Sequence, residues 1–331
     1  MHPELFEVPF LNITVKSYGT MMVIGFLLAT LLMRRMMKKA GQNPEWITNA
    51  ALYALLAGVA GSKLFYVVHH YDPSRSLWKL IFSGAGFEFL GGVLTAIVFL
   101  LIYLRFKKLS WRLYFDVLAV GLMLGLAFGR IGCFLNGCCY GGPADVPWAV
   151  RFPYGSLPYY NLVYPNEARM RDKPRLELPS DYFGWQDRQG DWIPASEQDK
   201  YSAALKPDEQ LTPEQRAAVA EGPYRCLPVH PTQLYSSLNA FLLTAIFYGL
   251  WRRIGLRKPG MVLGLMLIAY GVTRFALEML RDDNPFEYAW WMLHKGGTIS
   301  QNISIYLILF GAVLLGIVSK MKPPVVPRKK N

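Results

Sequence analysis

The stretch Gly129-Arg130-Ile131-Gly132-Cys133-Phe134-Leu135-Asn136-Gly137-Cys138-Cys139-Tyr140-Gly141-Gly142 follows directly on an apolar run, Leu113–Phe128. Taken together, Leu113–Leu135 is long enough to cross a bilayer as one helix. Arg130 then lies on a membrane-depth helix among glycines, with a Gly-rich turn after it. A guanidinium in that position is costly unless paired or solvated, which marks a functional site. The plainer reading is an arginine that snorkels to the interface. Arg274, a second arginine inside an apolar run, weighs against the plainer reading.

Working outward, the chain of 331 residues is 53% apolar and only 18% charged, which takes it out of the ordinary soluble class. Its apolar residues gather into seven runs of spanning length: Tyr18–Met33, Ile47–Val68, Phe87–Leu104, Leu113–Leu135, Gln233–Trp251, Gly260–Leu280 and Ile303–Val318. The expected fold is all-α and polytopic, with seven transmembrane helices and a long external loop between the fourth and fifth. The boundaries are 1–140 for the first four helices, 141–229 for the loop or small subdomain, and 230–331 for the last three with a basic tail.

The net charge of +12 is unevenly placed. The segments after runs one, three, five and seven carry 17 Lys/Arg, against 5 in the short segments on the other side. The positive-inside rule puts the N-terminus outside and the C-terminus in the cytoplasm. Basicity here reports topology and contact with membrane lipid, and no nucleic-acid partner is expected. Met1–Lys16 lacks the basic start of a cleavable signal and reads as an interfacial arm.

The region from Gly141 to Val229 is rich in Pro, Tyr, Asp and Arg and too long for a simple connection, so it is a small external subdomain or a lid. Within it, Thr212-Pro213-Glu214-Gln215 predicts a capped helix to about Ala220. Cys133, Cys138, Cys139 and His230 match no zinc spacing, and neither metal nor cofactor is expected. Cys226 is a candidate disulfide partner for Cys138 or Cys139 on the oxidising side.

In the sixth run Tyr270, Arg274, Glu278 and Arg281 are spaced by four, four and three, which puts them on one helix face. Glu278 can pair with Arg274 and fix its guanidinium, and the bland alternative is a structural ion pair. Arginines on two separate helices point to a shared anionic ligand, because guanidinium stays charged and binds phosphate oxygens bidentately.

These motifs resemble the prolipoprotein diacylglyceryl transferase family: Gly129-Arg130-Ile131-Gly132 with Phe134, Asn136-Gly137 and Gly141; His230-Pro231 with Gln233-Leu234-Tyr235; Tyr270-Gly271 with Arg274, Glu278 and Arg281; and Tyr18-Gly19. The resemblance implies a bacterial inner-membrane transferase. Such an enzyme moves the diacylglyceryl group of phosphatidylglycerol to the cysteine thiol of a prolipoprotein signal peptide, the first step of lipoprotein maturation. It implies Arg130, Arg274 and Glu278 as catalytic. For the thiol-activating base the residues offer His69, His70, His230 and the Cys138 thiol, with His230 first because imidazole is suited to proton transfer near neutrality and it adjoins a matched motif. The plainer reading is that His230 bonds a backbone carbonyl and fixes the re-entry of the loop. Arg130, Arg274, Tyr18, Asn136, Gly141, Tyr270 and Arg281 would bind the lipid. The chain departs from the family where His-Gly-Gly becomes Leu90-Gly91-Gly92 and where Asn and Glu become Cys133 and Cys138. Leu90 favours, as an alternative, a non-catalytic lipid- or lipoprotein-binding paralogue; buried charge alone favours a lipid or anion transporter, whose repeated halves are not found here.

Overall fold

A computed structural model describes residues 3–8, 13–71, 77–82, 86 and 88–322. Strands β1 (Glu4–Val8) and β2 (Ile13–Lys16) pair antiparallel within the segment expected to be an interfacial arm. The helices that follow are α1 (Ser17–Lys39), α2 (Pro44–His69), α3 (Leu77–Phe82), α4 (Phe89–Phe106) and α5 (Trp111–Asn136). After a long non-spanning segment come α8 (Thr232–Leu250, continued by a π turn to Gly255), α9 (Met261–Glu278) and α10 (Ile299–Lys320). The intervening segment holds α6 (Leu157–Val163), β3 (Phe183–Gln186), β4 (Trp192–Pro194), β5 (Ala204–Leu205) and α7 (Pro213–Ala220).

The protein is a mostly helical, polytopic membrane protein. Among the described residues, six helices, α1, α2, α5, α8, α9 and α10, have the length and hydropathy to cross a bilayer. The third expected run coincides with α4, a shorter apolar helix, and Phe87 at its start lies outside the described residues. Apolar side chains such as Leu52, Leu56, Val59 and Leu64 on α2 and Leu94, Val98 and Leu101 on α4 are exposed. Such faces suit hydrocarbon as solvent, where the helical backbone satisfies its own hydrogen bonds.

The chain divides into two units. One comprises Phe26–Leu124, Thr244–Met266 and Gly311–Asn331. Here the carboxylate of Asp116, fully buried on α5, accepts the backbone N–H groups of Gly260 (2.7 Å) and Leu263 (2.8 Å) at the start of α9. An anion at a helix N-terminus satisfies orphan donors and meets the positive end of the dipole. At the C-terminal end of α2, His69 Nδ1 lies 2.8 Å from the Glu88 carboxylate that precedes α4.

The other unit comprises Met1–Gly25, Gly125–Leu243 and Leu267–Phe310. Gly132 on α5 receives α1: a Cβ there would stand 3.2 Å from the Met21 Cβ and the Tyr18 ring, so the small residue brings Tyr18 against the helix that carries Arg130. Residues 141–229 carry their own core, in which Tyr159, Leu162, Val163, Tyr182, Phe183, Leu205 and Val219 are buried together. They form a folded subdomain around the antiparallel sheet β4-β3-β5. Its α7 has the expected cap, since Thr212 Oγ1 accepts the Gln215 N–H while Gln215 Oε1 accepts that of Thr212.

Candidate active site

Glu278 ends α9 with its side chain fully buried, and every contact it makes is charge-assisted or hydrogen-bonded. Oε2 lies 2.9 Å from Arg274 Nη2 and 3.4 Å from Arg281 Nη1. Oε1 accepts from Asn284 Nδ2 and, at 3.2 Å, from the Thr298 hydroxyl. A carboxylate so completely engaged acts as a brace, because a buried charge is tolerable only when its lone pairs are met. Ser300 on α10 adds a second hold on Arg274, accepting from Nη2 at 2.8 Å. Thr298 and Gln301 cap the start of α10 reciprocally, which fixes Ser300 in turn.

The consequence is that Arg274 presents a fixed guanidinium whose Nη1 is buried and has no partner among the described residues. Leaving such a donor unmet is expensive, so it marks a place where an acceptor belongs. Arg274 lines a narrow recess, about 10 Å³ in volume, together with Leu126, Arg130, Ser236, Asn239, Tyr270 and Leu277. Arg130, half-buried on α5, makes no hydrogen bond or ion pair among the described residues. Two free guanidinium faces therefore converge on one recess, beside a phenol, a serine and an amide. Asn239 is held by its Nδ2 donating to Thr273 Oγ1 at 3.0 Å. Ser236 and Asn239 are recess residues that the motif reading missed, although both are polar, three apart, on an otherwise apolar run.

Arg281 belongs to the brace. Its Nε and Nη2 donate to Asp283 at 2.8 and 2.6 Å, which occupies the fork that a phosphate would need. Gly141 contributes close approach: its N–H donates to the His230 carbonyl at 3.1 Å, and a Cβ there would stand 2.6 Å from the His230 side chain. His230 does not line the recess. Its Nδ1 is 3.3 Å from Tyr235 Oη, which also accepts from Trp148 Nε1 at 2.6 Å.

The motif around His230 has another task. Thr232 Oγ1 donates to the Cys139 carbonyl at 2.7 Å and Gln233 Nε2 to the Cys138 carbonyl at 2.8 Å. These bonds hold the turn after α5, where Gly137 and Cys139 both take left-handed backbone, with φ of +76° and +62°. The glycine adopts it freely; a cysteine does so only under constraint. The turn folds Cys138 and Cys139 back on Cys133, so that the three sulfurs lie within 4.8 Å of one another. His230 is not part of this group. The expected disulfide to Cys226 is not formed: all four cysteines are free thiols, and Cys226 is buried in the core of the 141–229 subdomain.

The sequence model of the prolipoprotein diacylglyceryl transferase family matches residues 3–317. The chain belongs to that family. It is 29% identical to the phosphatidylglycerol–prolipoprotein diacylglyceryl transferase of Clostridium tetani, over 96% of this chain and 98% of that protein. It is 28% identical to the enzyme of the same name from Rhodospirillum rubrum, over 84% of this chain and 76% of that one. It is 26% identical to phosphatidylglycerol–prolipoprotein diacylglyceryl transferase 2 of Clostridium perfringens, over 94% of this chain and 93% of that one. Membership of the prolipoprotein diacylglyceryl transferase family makes this chain a bacterial membrane-protein transferase.

Within this diacylglyceryl transferase, Asp282 ties the 141–229 subdomain to the end of α9. Its carboxylate, 5% exposed, meets Arg175 at 2.7 Å, Arg171 at 3.4 Å and Arg169 at 3.5 Å, and accepts from Asn161 at 2.7 Å. Leu90 is exposed at the start of α4, and Gly91 beside it makes room for Phe65 of α2. Leucine there moves no proton, so the means of activating a thiol must be sought elsewhere in the molecule.

Proposed function

We propose that this protein transfers the diacylglyceryl group of phosphatidylglycerol to the lipobox cysteine of prolipoprotein signal peptides. The observation that carries this reading is the buried, partnerless Nη1 of Arg274 in a recess shared with Arg130. Displacing a phosphate from carbon builds charge on its oxygens, and the anchored guanidinium of Arg274 with that of Arg130 beside it is suited to meeting that charge. Glu278 orients Arg274, with Arg281 completing the brace. Tyr18, Tyr270 and Asn136 supply hydrogen bonds to the lipid, and Gly141 shapes the turn beside them. His230 takes the proton of the incoming thiol.

In the proposed arrangement α4 is a seventh spanning helix, 1–140 and 230–331 form the membrane part, and 141–229 lies on the outer face over the signal peptide. The protein sits in the inner membrane with its N-terminus outside and its basic C-terminus in the cytoplasm, as the distribution of Lys and Arg favours. Leu90 favours one other reading, a paralogue that binds the lipid without transferring it. Purified protein in phosphatidylglycerol vesicles, given a lipobox peptide and read by mass, separates the two. A peptide heavier by one diacylglyceryl group supports transfer, and an unmodified peptide with lipid bound supports the paralogue.

A further inference from the structure

Cys133, Cys138 and Cys139 do nothing in the account above, yet the chain goes to some length to bring them together. Cys133 sits in the last turn of α5 and is buried. The other two follow on a turn in which a non-glycine residue holds left-handed backbone at φ +62°. That turn is fixed from outside by Thr232 and Gln233, each donating to one of the two cysteine carbonyls. It is fixed from inside by the Cys138 N–H donating to the Cys133 carbonyl at 3.1 Å. Backbone strain of this kind persists only where surrounding contacts over-determine it, and it clusters at functional sites.

The spacing that results has a chemical meaning. Thiolates on a tetrahedral zinc ion, with bonds near 2.3 Å, sit about 3.8 Å apart. Three sulfurs already within 4.8 Å of one another reach that geometry by small side-chain rotations. Three thiolates select soft d¹⁰ ions over Mg²⁺ or Ca²⁺. Among the described residues no His, Asp or Glu joins the group, so the chain supplies three ligands and leaves one position of a tetrahedral ion to water or substrate. Three protein ligands with an open position are the pattern of catalytic rather than structural zinc.

We infer that Cys133, Cys138 and Cys139 form a binding site for a thiophilic d¹⁰ cation, Zn²⁺ in the first instance, whose open position receives the thiol of the substrate peptide. This rests on the proposed transfer reaction and supplies what Leu90 removes. A thiol bound to such an ion is held as thiolate, so no strong base is needed to form the nucleophile. The substrate S–H bond breaks as sulfur binds the ion, and its proton passes to His230, the base proposed above. The sulfur lone pair then forms the S–C bond to the glyceryl carbon. The C–O bond to phosphate breaks, and its electron pair stays on the phosphate oxygen, opposite Arg130 and Arg274. Nothing is oxidised or reduced, and glycerol phosphate leaves.

The test uses the full-length protein in detergent, reduced, stripped with chelator and titrated with Co²⁺, whose thiolate charge-transfer absorption reports sulfur ligation. Expected are one equivalent bound by the wild type and by Cys226→Ser, displacement by Zn²⁺, and at least about tenfold weaker uptake in Cys133→Ser, Cys138→Ser and Cys139→Ser. A lipobox peptide should perturb the cobalt spectrum, and the same peptide with serine for cysteine should not. Maleimide mass tagging covers variants that fail to fold: in the wild type, Zn²⁺ should protect these three thiols together. Absence of stoichiometric uptake, uptake indifferent to the three substitutions, or a spectrum blind to the cysteine peptide overturns the inference. Lipid transfer by chelator-stripped enzyme also overturns it while leaving the proposed function standing. Stoichiometric uptake without transfer leaves the ion site standing and removes the proposed function.

Discussion

Arg274 shows how much of a residue's role lies in its partners. Glu278 and Ser300 both take Nη2, so one edge of the guanidinium is anchored and the other is presented to the recess. Lysine keeps the charge but can neither span the two anchors nor present a fixed second donor. Arg274→Lys should therefore lose transfer nearly as fully as Arg274→Ala, on the order of 10²–10³-fold, the usual cost of removing a donor aimed at developing charge. Steady-state rates with phosphatidylglycerol vesicles check this, and a fully active lysine variant would show that charge alone suffices. His230 is tied through Nδ1 to Tyr235, and its backbone brackets Gly141. Glutamine can keep one hydrogen bond but cannot accept a proton usefully. His230→Gln should lower turnover about 10²-fold with lipid binding retained, and wild-type turnover would remove the base assignment. The four-residue spacing made the Arg274–Glu278 pair legible in the sequence. The Ser300 and Thr298 partners were not legible, because they come from α10 and no local pattern announces a contact between helices.

At the scale of elements, one carboxylate helps tie the 141–229 segment to the end of α9. Asp282 gathers three arginines and an asparagine, and removing one partner of a buried ion cluster leaves the others desolvated and unpaired. Asp282→Ala should loosen this subdomain by about 3 kcal/mol while the spanning helices remain inserted. Cys226 offers the readout: burial raises its thiol pKa above the ordinary range, and it packs in the subdomain core. Its maleimide labelling should be slow in the wild type and accelerate in Asp282→Ala, whereas equal rates would show that the clamp does not hold the subdomain. Within this segment, Thr212–Gln215 revealed α7. The sheet and core stayed hidden, because strands of two to four residues carry no usable period. The cysteine turn was hidden for a related reason. Spacing along the chain cannot announce a left-handed cysteine that brings three sulfurs together.

At the scale of the whole molecule, hydropathy located the spanning helices because the bilayer imposes both length and apolarity on them. It set the third apart less well, since α4 is flanked by glycines and polar residues that blur its start. Asp116 went unremarked on the fourth run, since its value lies in meeting the start of α9, some 144 residues away. The charge distribution predicts that a reporter fused after Lys320 stays in the cytoplasm and one inserted near Arg188 is exported; the reverse pattern would invert the proposed site. The central claim is that Arg130 and Arg274 together hold the lipid phosphate. Native mass spectrometry of the detergent-purified protein with phosphatidylglycerol tests it most directly. The wild type should retain one lipid, and Arg130→Ala and Arg274→Lys, folded to the same thermal midpoint, should each lose it. Equal retention by all three would contradict the claim.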